Sequence, residues 1–138
     1  MAGYSGTPLP QKLGIKNGLT VVILDAPDSF MPTLGRLPSD VEVHHEVTAS
    51  NIFILFGSWA DKLEEAFHRA KSLLPPDGAI WVAWPKRSSG VETDITEDTL
   101  RDLFLPTGMV DNKVCAIDET WSGLRFVVRK ENRATWPG

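Results

Sequence analysis

A chain of 138 residues is long enough to bury one substantial core and short for two, so a single domain over 1–138 is expected. Its hydrophobic content of 42% and charged content of 23% are ordinary globular usage, which excludes disordered, collagenous and disulfide-scaffold classes. A formal net charge of −4 opposes broad binding to a phosphate backbone, so nucleic acid is not an expected partner.

The lone cysteine, Cys115, sits in an apolar run and fits a buried thiol in a reducing compartment. The first sixteen residues lack the basic start and apolar stretch of a signal peptide, and no later run is long enough to cross a bilayer. No membrane partner and a cytoplasmic location are therefore expected.

Residues 1–16 are rich in turn formers and read as an N-terminal arm, with one helical turn over Gln11 to Ile15 before Asn17-Gly18. Leu19 to Leu24 is a continuous apolar, β-branched run, the pattern of a central strand covered on both faces. Val41 to His44 and Ile52 to Phe56 predict two more strands. Too few residues separate them to carry the chain back along the sheet at about 3.3 Å per residue. The earlier strand is therefore very short, or the pair is antiparallel.

From Trp59 to Leu74 apolar residues recur at helical spacing, with Ser58 placed to cap the start and Pro75-Pro76-Asp77-Gly78 to end it. Ala79 to Trp84 follows as a buried strand, and strand, helix, strand requires a parallel pair. Asp94 and Glu97 have the form of a capping box for a helix over Thr96 to Leu105. Lys113 to Ile117 and Leu124 to Val128 predict a closing antiparallel hairpin, and 130–138 a mobile tail. The expected fold is α/β: a small Rossmann-like, three-layer domain with a mostly parallel sheet and a C-terminal antiparallel hairpin.

Leu73-Leu74-Pro75-Pro76-Asp77-Gly78 before an apolar strand ending in Pro85-Lys86, followed by a hairpin, resembles an S-adenosylmethionine methyltransferase core in its order of elements. Where that superfamily has a glycine-rich turn after its first strand, this chain has Asp25-Ala26-Pro27-Asp28-Ser29-Phe30, and Pro27 removes an amide donor. Three phrases, Gly3 to Leu9, Trp81 to Lys86 and Asp111 to Phe126, resemble a family of small bacterial proteins catalogued as a domain of unknown function. That resemblance spans nearly the whole chain and implies no activity or catalytic residue.

The loop Pro85-Lys86-Arg87-Ser88-Ser89-Gly90 places two cations and two hydroxyls after a parallel strand, where open α/β sheets bind ligands, and an anion is the expected guest. A solvated turn balancing Glu92, Asp94, Glu97 and Asp98 is the plainer reading. Asp25 and Asn112 are added to Lys86, Arg87, Ser88 and Ser89 as the candidate ligand set. Asp25, Asp28 and Lys86 could converge as acid and base partners, with Asp28 equally a helix cap. No catalytic set is assigned on that basis.

His44 and Glu46 share a face if their strand continues, yet two ligands are too few for a metal site. Trp121, at the hairpin tip, is expected to pack on the core. Cys115 has only Lys113 nearby in sequence to lower its pKa, and no serine sits in a Gly-x-Ser-x-Gly elbow, so no covalent nucleophile is assigned.

The leading expectation is a non-catalytic or degenerate Rossmann-like binding module, without a cofactor, for a small anionic ligand or a protein partner. One alternative is an S-adenosylmethionine-dependent enzyme with the ligand beside Asp25 and Glu46 near the ribose. The other is a homo-oligomeric scaffold paired through exposed tryptophans.

Overall fold

The computed structural model describes residues 6–136. Residues 1–5, and with them part of the expected arm and of the Gly3 to Leu9 phrase, lie outside the described residues, as do 137 and 138 of the expected tail.

Short runs of β-branched and aromatic residues make the strands: β1 (Thr20–Leu24), β2 (Glu42–His44), β3 (Ile52–Phe56), β4 (Ala79–Pro85), β5 (Met109–Ala116) and β6 (Trp121–Val128). They form one sheet in the order β2-β1-β3-β4-β6-β5. The first four are parallel, and β6 runs antiparallel to both β4 and β5. The Rossmann-like expectation with its closing hairpin is met.

Of the two geometries open for the segment near residue 42, the very short strand is found. β2 has three residues and pairs parallel to β1, Thr20 opposite Glu42. The sheet's middle is β3 and β4, every residue of which is buried, whereas β1 lies one strand from the edge.

Helices cover both faces. On one face α3 (Ala60–Lys71) and α4 (Glu97–Phe104) bury Leu63, Phe67, Leu100 and Phe104. Phe67 stacks on Phe104 with ring centroids 3.8 Å apart, and Phe126 of β6 meets both rings edge-on. On the other face α1 (Leu9–Lys12) and α2 (Phe30–Leu34) cap a cluster containing Leu13, Ile15, Phe30 and Trp81. The helical turn starts earlier than Gln11 because Pro10 falls in its first turn, where a missing amide costs nothing. Trp121 packs edge-on to Phe56 at 5.2 Å, the core-packing role expected of it.

Trp81 is fully buried, and its Nε1 donates to the Leu13 carbonyl at 2.9 Å. The ring lies over Gly123 of β6, where a Cβ would come within 3.1 Å of Trp81 Cε3. Beyond β6 a 3-10 helix (Lys130–Thr135) leads to Trp136, whose Nε1 donates to the Leu74 carbonyl at 3.0 Å.

The stacked phenylalanines predict that Phe104→Ala lowers unfolding stability by about 3–5 kcal/mol, read from urea denaturation. A loss below about 1 kcal/mol would show that this aromatic cluster does not hold α4 to the sheet.

Candidate functional site

The chain passes from β1 outward to β2 and then returns to β3 on the other side of β1. That reversal makes the carboxyl edge between β1 and β3 the sheet's switch point, where open α/β folds leave a crevice. The groups at this edge come from the turns after β1, β2 and β3.

After β1, Asp25 adopts a left-handed φ of 58°, a conformation that aspartate tolerates better than most side chains. The turn closes through Phe30 N–H donating to the Pro27 carbonyl at 2.9 Å, and α2 begins without a side-chain cap, so Asp28 is not its cap. After β2, His45 folds back so that its Nδ1 lies 3.3 Å from the Ile23 carbonyl. β2 ends at His44, so the strand does not continue to Glu46, and His44 lies 3.5 Å from Glu42 within it. After β3, Gly57 lets the chain turn tightly under α3: a Cβ there would lie 2.8 Å from Leu63 Cγ.

Two clefts flank the first turn of α3. The smaller, of 330 Å³, lies between the ends of β1 and β2 and the side of α3. It carries the carboxylates of Asp25 and Glu46 opposite an α3 face bearing Lys62, Glu65 and Arg69, over an apolar base of Leu24, Val47 and Ala66. Among the described residues none of these five charged groups is ion-paired. The larger cleft, of 880 Å³, lies between the ends of β3 and β4 and the loop before α4, with Trp59, Trp84 and Val91 in its walls.

The structure does not bring the six sequence-selected residues together. Asp25 belongs to the smaller cleft, whereas Lys86 and Arg87 line the larger. Lys86 is engaged, its Nζ donating to the Asp118 carbonyl at 2.6 Å and its amide to Thr120 at 2.8 Å, which ties β4 to the hairpin turn. Ser89 Oγ donates to the Lys86 carbonyl at 2.6 Å, and Ser88 is exposed outside both clefts. Asn112 sits at the bulge of β5 and accepts from Arg125 Nη1 at 3.3 Å. It is four residues short of the strand's end, about 13 Å from the carboxyl edge.

Sequence reasoning weighed Trp59 only as a possible exposed partner surface, and missed Val91 and the strap formed by the loop before α4. Thr93 Oγ1 donates to the Ser58 carbonyl at 2.6 Å, and Asp94 Oδ1 accepts from the Ala60 amide at 2.8 Å. Asp94 therefore caps α3 from a distant part of the chain, and Ser58 does not. With Asp94 so used, the capping box of α4 is formed by Thr96 and Thr99, and Glu97 instead pairs with Arg101 at 3.0 Å. Cys115 is buried, and burial pushes its thiol pKa up against the opposing pull of Lys12, Lys113 and Lys86. It is a poor nucleophile. Among the described residues no three of His, Cys, Asp or Glu group as metal ligands, and no helix is long and apolar enough to cross a membrane.

The sequence matches no protein-family model and no curated protein. Solved structures do resemble it in fold. A protein assigned to the type 11 methyltransferases of Sulfolobus solfataricus superposes with a TM-score of 0.63 at 14% identity, over 88% of this chain and 90% of that one. An S-adenosylmethionine-dependent methyltransferase from Aquifex aeolicus gives 0.57 at 13% identity, over 86% and 87%. A ribosomal protein L11 methylase from Lactobacillus delbrueckii subsp. bulgaricus gives 0.59 at 10% identity, over 86% and 73%.

These likenesses, at such identities, establish a methyltransferase-like fold. They count against the leading expectation of a non-catalytic module for a small anionic ligand or protein partner, and against a homo-oligomeric scaffold, because the fold found is one that methyltransferases share. The proposed anion loop spends Lys86 on the Asp118 carbonyl of the hairpin turn and Ser89 on the Lys86 carbonyl.

The cap assignment predicts that Asp94→Ala costs about 1 kcal/mol of stability, while Ser58→Ala changes it by less than about 0.5 kcal/mol, in paired thermal melts. The reverse order would return the cap to Ser58.

Proposed function

We propose that this chain binds S-adenosylmethionine in the Asp25–Glu46 cleft and acts as a methyltransferase. The observation that carries the reading is a charged cleft at the carboxyl ends of β1 and β2, beside the switch point of a sheet whose fold methyltransferases share.

The residues fit that ligand by charge more than by backbone shape. The turn after β1 has no glycine, Pro27 offers no amide, and α2 is only five residues long, so a backbone cradle is not the means of holding it. Side chains take that part. The carboxylates of Asp25 and Glu46 suit a cationic sulfonium and a ribose diol, with Glu46 assigned to the ribose. Lys62 and Arg69, across the cleft, suit the carboxylate of the amino-acid end. Leu24, Val47 and Ala66 offer apolar surface to a purine. The chemistry available from such a ligand is an electrophilic methyl group on a cationic sulfur.

The larger cleft, beyond the first turn of α3, is the place for a methyl acceptor, with Arg87 on its rim. Membership of the bacterial domain-of-unknown-function family, carried by Trp81 to Lys86 and Asp111 to Phe126, and a cytoplasmic location belong to the same proposal. Neither adds a reactive group.

Calorimetric titration with S-adenosylmethionine and S-adenosylhomocysteine tests it. Both bind, and the paired substitution Asp25→Ala with Glu46→Gln weakens them at least about tenfold, the loss of one charge-assisted hydrogen bond or more. Arg87→Ala leaves both affinities unchanged. Absence of binding at millimolar ligand, or full affinity in the paired variant, would overturn the assignment.

A further inference from the structure

Five large apolar side chains are exposed among the described residues, and two of them, Trp59 at 47% and Val91 at 44%, line the same 880 Å³ cleft. The buried side chains of Trp84 and Ile95 line it as well. Isolated exposed apolar residues are ordinary, but a concave group of them marks a surface that a ligand covers.

Most of the polar lining is already engaged. Lys86 donates to Asp118, Thr93 to Ser58, and Asp94 accepts from Ala60. Glu97 pairs with Arg101. Arg87 and Glu92 remain, one charge of each sign, together with the Ser122 hydroxyl. A ligand with net charge therefore gains little from this cleft, and a polyanion meets Glu92, Asp94 and Glu97 on its wall. The half-exposed indole of Trp59 offers what these groups do not, a flat π face on which a ring can stack.

We infer that this cleft binds a small, uncharged, planar aromatic compound stacked on Trp59. Its role as methyl acceptor rests on the methyltransferase reading above. For a phenolic acceptor the ring oxygen forms a bond to the methyl carbon as the sulfur–methyl bond breaks. The electron pair of that bond stays on sulfur, leaving a neutral thioether, and the phenolic proton passes to water. Trp59 orients the ring and takes no part in the bond changes.

Ligand-observed NMR titration with catechol and with cyclohexanol, each with and without saturating S-adenosylhomocysteine, tests the inference on the full chain. Catechol binds about five- to tenfold tighter than cyclohexanol, the range expected of one aromatic stack. Trp59→Ala removes the preference and Trp59→Phe keeps it, with circular dichroism confirming that both variants are folded. Equal affinity for the two compounds, or a preference that survives Trp59→Ala, would overturn the inference. Catechol binding without any binding of S-adenosylhomocysteine overturns the methyltransferase reading and leaves the ring site standing. The opposite pattern overturns the ring site alone.

Discussion

The buried indole of Trp81 is the contact on which the rest of the architecture depends. It sits on β4, in the wholly buried middle of the sheet, and is flanked by Ile54 of β3 and Arg125 of β6 in register. Its Nε1 needs an acceptor because a buried donor left unpaired costs about 1–3 kcal/mol, and the Leu13 carbonyl supplies one. Its ring needs space on β6, and Gly123 supplies that. One side chain thereby joins the N-terminal segment, the parallel strands and the closing hairpin. With those three parts fixed, the turns after β1, β3 and β4 are held at one edge.

A second constraint is chain length. Residues 45–51 pass from β2 to β3 with no helix between them. β2 can then be only a short parallel strand, and the α3 side of β1 and β2 keeps an open cleft instead of a packed helix. Asp25, Glu46, Lys62, Glu65 and Arg69 line that cleft without ion-pair partners among the described residues. Unpaired charges of both signs over an apolar base suit a ligand that is itself zwitterionic and partly apolar, which is the physical content of the functional proposal.

Much of the fold was legible in the sequence because its middle strands are wholly apolar and its βαβ unit leaves one solution. Ile52 to Phe56, the helix after it and Ala79 to Trp84 could pair only in parallel. The hairpin was legible for a similar reason, although β5 begins at Met109 and not Lys113. The caps were not, because Asp94 reaches Ala60 across 34 positions and local patterns assigned it to α4. The site was half legible. A loop after a parallel strand is a sound place to seek ligands, but sequence does not reveal that Lys86 and Ser89 satisfy nearby carbonyls, or that Asn112 lies at mid-strand. The pairing of Asp25 with Glu46 was legible only through the methyltransferase alternative, whereas the facing Lys62 and Arg69 and the shared exposure of Trp59 and Val91 exist only once the chain is folded.

The central claim is that the carboxyl edge of β1 and β2 is where the adenosyl ligand binds. The most direct measurement is amide chemical-shift mapping of the 15N-labelled protein titrated with S-adenosylhomocysteine. The account predicts that the largest changes fall on Asp25, Ala26, Glu46, Val47 and the first turns of α3. Changes confined to the opposite edge of the sheet, around Ser50, Asn51 and Leu73, would contradict it.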